Sequence, residues 1–430
     1  MRAERLAAPV DPLAVAALPG LRRPAVVTVA GWRVVVADPA GAVTDARDLA
    51  ALGDACGWRD DTDPDLPPFV GGAVGFLTDD LSRRWLALDP HDPRPRPAPL
   101  PALWFGRYDS ALCCPPDGGP AVVVGRDAED RERWRRRAAA VTPLPAPVSP
   151  TTGPPRLSLG RRQHAAAVER VRGWIAAGDL YQLNLTLQVA APWAQGGLAL
   201  ARRLEAATPG AAHAAYLAAP GAEIVSVSPE TFLHSDGDLV RTRPIKGTRP
   251  RGATAADDER QAAALRASAK DAAEHVMIVD LERNDLGRVS RPGSVRVPAL
   301  AALEAHPTVW HLTSTVTARL RDDVDLGDLL AATFPSGSVT GAPKRMAVAR
   351  TALVEPVRRG VYCGAIGVVT RGRVDLSVAI RTAVVAEGVA SYGTGGGIVA
   401  DSDPDAEFEE AMDKAQAFFR ASGAARPRRA

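Results

Sequence analysis

Tyr181-Gln182-Leu183-Asn184-Leu185-Thr186-Leu187-Gln188-Val189 alternates without a break. Tyr181, Leu183, Leu185, Leu187 and Val189 fall on one face, and Gln182, Asn184, Thr186 and Gln188 on the other. Successive strand side chains point to opposite faces, so a period of two predicts a β-strand with one apolar side. A polar side this regular either meets water or lines a pocket. Just upstream, Ala165, Val168, Val171 and Ile175 recur at helical spacing, with Gly178 as the stop. Working outward, strands are predicted at 25–29, 34–36, 69–76, 223–228, 363–369, 374–385 and 389–393. Helices are predicted at about 255–283, 325–332, 342–354 and 405–421. Strands and helices intermix without regular βαβ alternation, which predicts an α+β fold with large antiparallel sheets. Pro143, Pro145, Pro147, Pro150, Pro154 and Pro155 mark a linker between about 141 and 156. It divides the chain into an N-terminal region, 1–145, and a second region, 156–425.

A chain of 430 residues can bury a large core. Its 52 Lys+Arg against 50 Asp+Glu leave a net charge of +2, which argues for neither nucleic acid nor an anionic membrane as partner. No window approaches the ~20 apolar residues of a membrane span. Met1-Arg2-Ala3-Glu4-Arg5 leads into Pro- and Asp-containing sequence rather than the apolar core of a signal peptide. Cys56, Cys113, Cys114 and Cys363 have neither metal-ligand spacing nor disulfide density, so the expected compartment is a reducing cytoplasm.

Arg243-Pro244-Ile245-Lys246-Gly247-Thr248 follows a β-like stretch and is rich in turn formers. Lys246 there is either a solvated loop lysine or an amine whose pKa is depressed by Arg243 and Arg249, as a nucleophile or base requires. Asp271 and Glu274 share one helix face, and Glu407 and Glu410 another. Two such pairs are either solvated acidic faces or the oxygen ligands of a hard cation such as Mg²⁺. Gly393-Thr394-Gly395-Gly396-Gly397 lies between a strand and the last helix, where bare backbone could approach an anion. It lacks the G-x-G-x-x-G order. Gly337 to Lys344 lacks the Gly-Lys-Ser/Thr of a phosphate loop, so nucleotide binding is not expected. A small carboxylate would suit the glycines together with Arg381, whose planar fork takes carboxylates bidentately.

These runs together resemble the chorismate-utilising enzymes, the family of anthranilate synthase component I, aminodeoxychorismate synthase component I, and isochorismate and salicylate synthases. The matching blocks are Gly178 to Gln182, Ser228-Pro229-Glu230, Pro244 to Thr248, Glu274-His275, Val279 to Asp285, Val309 to Leu312, Gly341 to Lys344, Tyr362 to Gly367, Ile380-Arg381-Thr382 and Gly395 to Ser402. They cover about 160 to 422, and Phe69 to Phe76 with Asp80-Leu81 is similar to the family's N-terminal region. The resemblance implies antiparallel sheets packed face to face with helices outside. It also implies a site in which Mg²⁺ on Glu274 and Glu410, with Asp271 and Glu407 close by, holds the ring carboxylate of chorismate. Arg381, Tyr362, Gly395, Gly396 and Gly397 would take the enolpyruvyl carboxylate, with Thr248, Ser338 and Lys414 as further polar contacts. His311 would bind or be structural.

Two positions report which nucleophile adds to the ring. Family members that add water carry a lysine where this chain has Gln182, and a neutral amide cannot take a proton from water. Anthranilate synthases usually carry alanine where this chain has Lys246. Lysine there is the mark of the aminodeoxychorismate synthases, in which it resembles a covalent catalyst, with Glu230 as general acid. The resemblance therefore implies amination of chorismate to 4-amino-4-deoxychorismate, on the route to p-aminobenzoate and folate. No cysteine lies in a Gly-x-Cys-x-Gly turn, so ammonia would come from a glutamine amidotransferase subunit in trans. Anthranilate synthase component I, a secondary-metabolite synthase of the same chemistry, and a non-catalytic chorismate-binding subunit are the alternatives.

Overall fold

In the computed structural model, which describes residues 1–144, 153–307 and 309–427, the alternating stretch forms the strand Gln182–Pro192. It runs antiparallel to Val389–Ile398, with Leu183 opposite Ile398 and Pro192 opposite Val389. Leu183, Leu185, Leu187 and Val189 pack with Val168, Val171, Phe408 and Phe418 of the covering helices. Burying each leucine is worth ~2 kcal/mol, so these side chains decide which way the strand faces. The polar side is buried too: Gln182, Asn184 and Thr186 are 0%, 6% and 5% exposed. It packs against neighbouring elements rather than meeting water: Asn184 Nδ2 donates to the Val339 carbonyl at 3.1 Å. Tyr181, 72% exposed, departs from the pattern because it precedes the strand and the pleat no longer sets its direction.

Gln182–Pro192 belongs to a 12-stranded sheet, and a 10-stranded sheet packs against it. The hairpin Ala25–Val29 and Trp32–Val36 shows how. Val26 and Val35 point to the helix-covered side, while Val27, Val34 and Val36 meet Val74, Phe76, Ile366 and Val368 of the other sheet. The outer face of the second sheet, with Phe232, Val240 and Leu376, is covered by Leu52, Val279, Leu286 and Leu329 from helices. The expected α+β arrangement of antiparallel sheets face to face, helices outside, is therefore present. Both sheets draw strands from either side of the Pro-rich stretch. Gly72–Leu77, for example, pairs with Ala365–Thr370 in the second sheet. Pro145, Pro147 and Pro150 of the expected linker lie outside the described residues.

Several expected elements are split. The helix at 255–283 is two, Ala255–Arg266 and Ala269–Gly287, because Ser268 caps the second by accepting the Asp271 amide at 3.2 Å. The strand at 374–385 is also two. Arg373–Val378 lies in the 10-stranded sheet and Thr382–Ala386 in the 12-stranded one, and the chain crosses between them at Arg381, with φ 51°. The last helix divides into Pro404–Lys414 and Gln416–Ser422. The glycine run is not a loop before that helix. Gly393 to Gly397 lie inside the strand Val389–Ile398.

Candidate active site

The Lys246 run forms a strand, Ile245–Pro250, rather than a solvated loop. It pairs with Val309–Arg319, and the register slips at Gly247, so that Lys246 stands opposite Leu312 and Thr248 opposite His311. Gly247 has φ +78°, and a Cβ there would fall 2.9 Å from Leu265 Cδ1. Glycine is required for both reasons, and the resulting bulge re-aims the residues beside it. Lys246 Nζ donates to the Ser338 carbonyl at 3.1 Å. Its pKa is pushed down from the ordinary lysine value, chiefly by burial and also by Lys414, while Glu274, Glu230 and Glu410 pull the other way. The flanking arginines, the expected cause, are not the main one. Arg243 pairs with Glu304 at 2.6 Å and Arg249 with Asp271 at 2.9 Å, so each is neutralised at its own carboxylate.

Glu230 sits at the start of Thr231–Asp236 and is 4% exposed. Ser228 Oγ accepts its amide at 3.2 Å and donates to the Val378 carbonyl at 2.7 Å, which fixes the turn that carries it. Burial pushes the Glu230 carboxyl up to about 7, against the Ser338 side chain, Lys246 and the Ile245 backbone, which favour the carboxylate, and with a further push from Glu282. Its Oε1 has no hydrogen-bond partner among the described residues. A carboxyl in this environment is an acid at neutral pH and, once ionised, a base.

The four expected metal carboxylates are not equivalent. A Cβ on Gly396 would lie 3.2 Å from Glu407 Oε2, 3.7 Å from Glu410 Oε1 and 3.7 Å from Lys414 Nζ, so these groups converge over bare backbone. Lys414 Nζ binds Glu410 Oε1 at 2.7 Å and the Gly395 carbonyl at 3.0 Å, and it holds the Glu410 pKa low. Burial raises the pKa of Glu274, with Asp271 and Glu407 adding to the push. Burial likewise raises that of Glu407, which accepts Ser402 Oγ at 2.7 Å and has Lys270 Nζ at 3.9 Å. Asp271, expected close by, accepts Arg249 Nη2 at 2.9 Å. Among the described residues no three His, Cys, Asp or Glu side chains are close enough to form a ready-made metal cage.

The expected substrate contacts lie on elements that adjoin Lys246 and Lys414. Thr248 Oγ1 and His311 Nδ1 are 2.9 Å apart. Burial pushes His311 down to about 4, helped by His306 and Arg381, so its imidazole is neutral at pH 7. Arg381 Nη1 donates to the Lys414 carbonyl at 2.6 Å. Tyr362 is 7% exposed, and its ring lies where a Cβ on Gly393 would be, 2.1 Å from Cγ. Gly397 leaves room for the amide of Gln182, whose Nε2 would be 2.2 Å from a Cβ there. Among the described residues, both polar atoms of that fully buried amide lack a partner.

Sequence reasoning assigned no role to the residues that hold the turn Gly337–Val339. Lys344 Nζ binds Asp285 and the carbonyls of Thr333, at 2.9 Å, and Pro335. Glu282 Oε1 accepts the Gly337 amide at 2.8 Å. Arg359 donates to the carbonyls of Val339 at 3.0 Å and Asn184 at 2.7 Å, and to Glu355 at 2.7 Å. The signal was present as charged residues inside apolar blocks, Glu282 to Asp285 and Lys344, but their partners are distant in sequence.

The chorismate binding enzyme family matches residues 34–420, a span that contains every residue of this site. Aminodeoxychorismate synthase component 1 of Salmonella typhimurium is 41% identical over 354 residues, 82% of this chain and 76% of that protein. Anthranilate synthase component 1 of Streptomyces coelicolor is 40% identical over 377 residues, 83% of this chain and 74% of that one. Among solved structures, anthranilate synthase component I of Streptococcus pneumoniae superposes with a TM-score of 0.74 at 26% identity, over 97% of this chain and 92% of that chain. The menaquinone-specific isochorismate synthase of Escherichia coli shares the fold at a TM-score of 0.76 and 19% identity, over 98% and 94%. The extent of the family match, together with the fold, means that the chain belongs to the chorismate binding enzymes.

Proposed function

We propose that this chain is the synthase subunit that converts chorismate and ammonia to 4-amino-4-deoxychorismate, on the route to p-aminobenzoate and folate. The observation that carries the reading is Lys246, an amine with a depressed pKa within the electrostatic reach of a protonatable Glu230. Lys246 Nζ attacks ring C2 while the C4–O bond breaks, and Glu230 gives its proton to the departing hydroxyl, which leaves as water. Ammonia then forms the C4–N bond as the C2–N bond to Lys246 breaks, and the Glu230 carboxylate takes the proton that ammonia sheds. Gln182 supplies no base for water, which suppresses hydroxyl addition. Arg381, Tyr362 and the backbone at Gly395 to Gly397 would orient the enolpyruvyl carboxylate, with Thr248, His311, Ser338 and Lys414 as polar contacts.

Glu274, Glu407 and Glu410 fit Mg²⁺: they are hard oxygen donors, and burial raises the pKa of Glu274 and Glu407, with neighbouring carboxylates adding to it, which a divalent cation would relieve. Mg²⁺ uses one or two protein carboxylates and leaves room for substrate oxygens, which suits a site without a closed cage. When bound, it would neutralise the ring carboxylate of chorismate. Removing metal with EDTA should abolish turnover, and Glu274→Ala or Glu410→Ala should lower it ~10²-fold or more, since each deletes a ligand beside a dianionic substrate. Full activity after EDTA would remove the metal from the scheme.

Ammonia is proposed to reach the site from a separate glutamine amidotransferase subunit. The four cysteines are free, which suits the cytoplasm, and no described helix is long and apolar enough to cross a membrane. Anthranilate synthase is the second reading, favoured by the 40% identity to the Streptomyces protein. Product analysis separates the two. The pure chain with chorismate, Mg²⁺ and ammonium should form 4-amino-4-deoxychorismate, whereas glutamine alone should form nothing. Anthranilate as the product would establish the second reading, and glutamine-dependent product would contradict the separate subunit.

A further inference from the structure

The turn that touches Lys246 carries five consecutive peptide carbonyls, Ser336 to Thr340, and four of them are held by groups other than the lysine. The Ser336 carbonyl accepts Thr340 Oγ1 at 3.0 Å, and that of Gly337 accepts the same hydroxyl at 3.3 Å. The Val339 carbonyl accepts Asn184 Nδ2 at 3.1 Å and Arg359 Nη1 at 3.0 Å. The Thr340 carbonyl accepts the Asn184 backbone amide at 2.7 Å. The Ser338 carbonyl accepts Lys246 Nζ at 3.1 Å.

Asn184, on the polar side of the strand Gln182–Pro192, therefore grips this turn at two successive peptides. Its own carbonyl accepts Arg359 Nη2 at 2.7 Å. Arg359 is buried and is fixed in turn by Glu355, through Nη2 at 2.7 Å and Nε at 3.1 Å. Peptide units are planar, so a carbonyl swings only by rotation about the dihedrals beside it. Holding the Val339 and Thr340 carbonyls restricts those dihedrals on the C-terminal side of Ser338.

We propose that Asn184, backed by Arg359, is a positioning residue for this reaction: by gripping the Val339 and Thr340 carbonyls it aims the Ser338 carbonyl at Lys246, and through that bond it aims the amine. The inference rests on the reading of Lys246 as the nucleophile. A neutral amine that commits one N–H to a carbonyl has fewer directions left for its lone pair. As the C2–N bond forms and the C4–O bond breaks, the nitrogen becomes positively charged. The same hydrogen bond then comes from a cation and strengthens. A contact that strengthens along the reaction coordinate lowers the barrier rather than KM.

The test is Asn184→Ala, assayed with chorismate, Mg²⁺ and saturating ammonium. The change removes the Nδ2 donor and leaves the backbone amide bond to Thr340. kcat should fall about ten-fold, because a reacting group misplaced by ~1 Å costs up to ~10²-fold. Chorismate affinity is then measured by calorimetric titration without ammonia, in Lys246→Ala with and without Asn184→Ala. It should change less than about two-fold, since an interaction made only in the transition state leaves binding untouched. A merely structural asparagine would weaken binding along with kcat. Asn184→Leu, which keeps the branched shape without the donor, decides if Asn184→Ala does not fold. An unchanged kcat, or an affinity loss that matches the fall in kcat, overturns the proposal. A wild-type rate in Lys246→Ala would instead sink the nucleophile reading on which it rests.

Discussion

Lys246→Ala should lower kcat by ~10²-fold or more while chorismate still binds, because it removes a bond made only as the reaction proceeds and leaves the carboxylate contacts in place. The structure sharpens the reason. An amine at this position on a bulged strand, tied at 3.1 Å to the Ser338 carbonyl, is aimed before substrate arrives, and burial lowers its pKa. The substitution also gives the residue that resembling anthranilate synthases usually carry, so residual turnover should come from ammonia adding at C2, with some product appearing as fluorescent anthranilate. Mass spectrometry of the wild type with chorismate and no ammonia should find added mass on the peptide containing Lys246. An unmodified lysine together with a wild-type rate in Lys246→Ala would reduce Lys246 to a structural residue.

Glu230→Gln should separate activity from stability. Removing the proton donor should lower kcat/KM by ~10²-fold or more, in the range that general acid–base groups contribute. In the wild type kcat/KM should fall as pH rises through about 7, where Glu230 loses its proton. Folding responds in the opposite direction to catalysis. The folded pKa lies above the ordinary glutamate value of 4.5, so the unfolded chain releases this proton first and Glu230 increasingly destabilises the fold between pH 4.5 and about 7. Glu230→Gln, which cannot ionise, should therefore be the more stable protein at pH 8, by about 3 kcal/mol for a gap of this size. Its Tm should exceed that of the wild type at pH 8, and the difference should close toward pH 5. A Tm difference independent of pH would show that Glu230 is not held above its ordinary pKa.

Sequence alone determined the strand period of Leu183 to Val189, the helix at Ala165 to Ile175, the α+β class, and the family blocks that contain Lys246, Glu230, Glu274 and Glu410. These are legible because side-chain alternation and reactive residue types are local properties, readable without knowing what lies opposite. Tertiary structure alone decided the rest. Arg373–Val378 and Thr382–Ala386 look like one strand in sequence, since both are apolar, but a single positive φ at Arg381 sends the second into the other sheet. The glycines at 393 to 397 look like a loop, yet a ten-residue ladder with Gln182–Pro192 makes them a strand whose missing side chains leave space for Tyr362 and Gln182. Protonation was the least legible property of all. A pKa is set by burial and by charges that arrive from distant parts of the chain. Arg249 pairs with Asp271, Lys414 reaches Glu410, and Glu282 adds its push on Glu230 from another part of the chain.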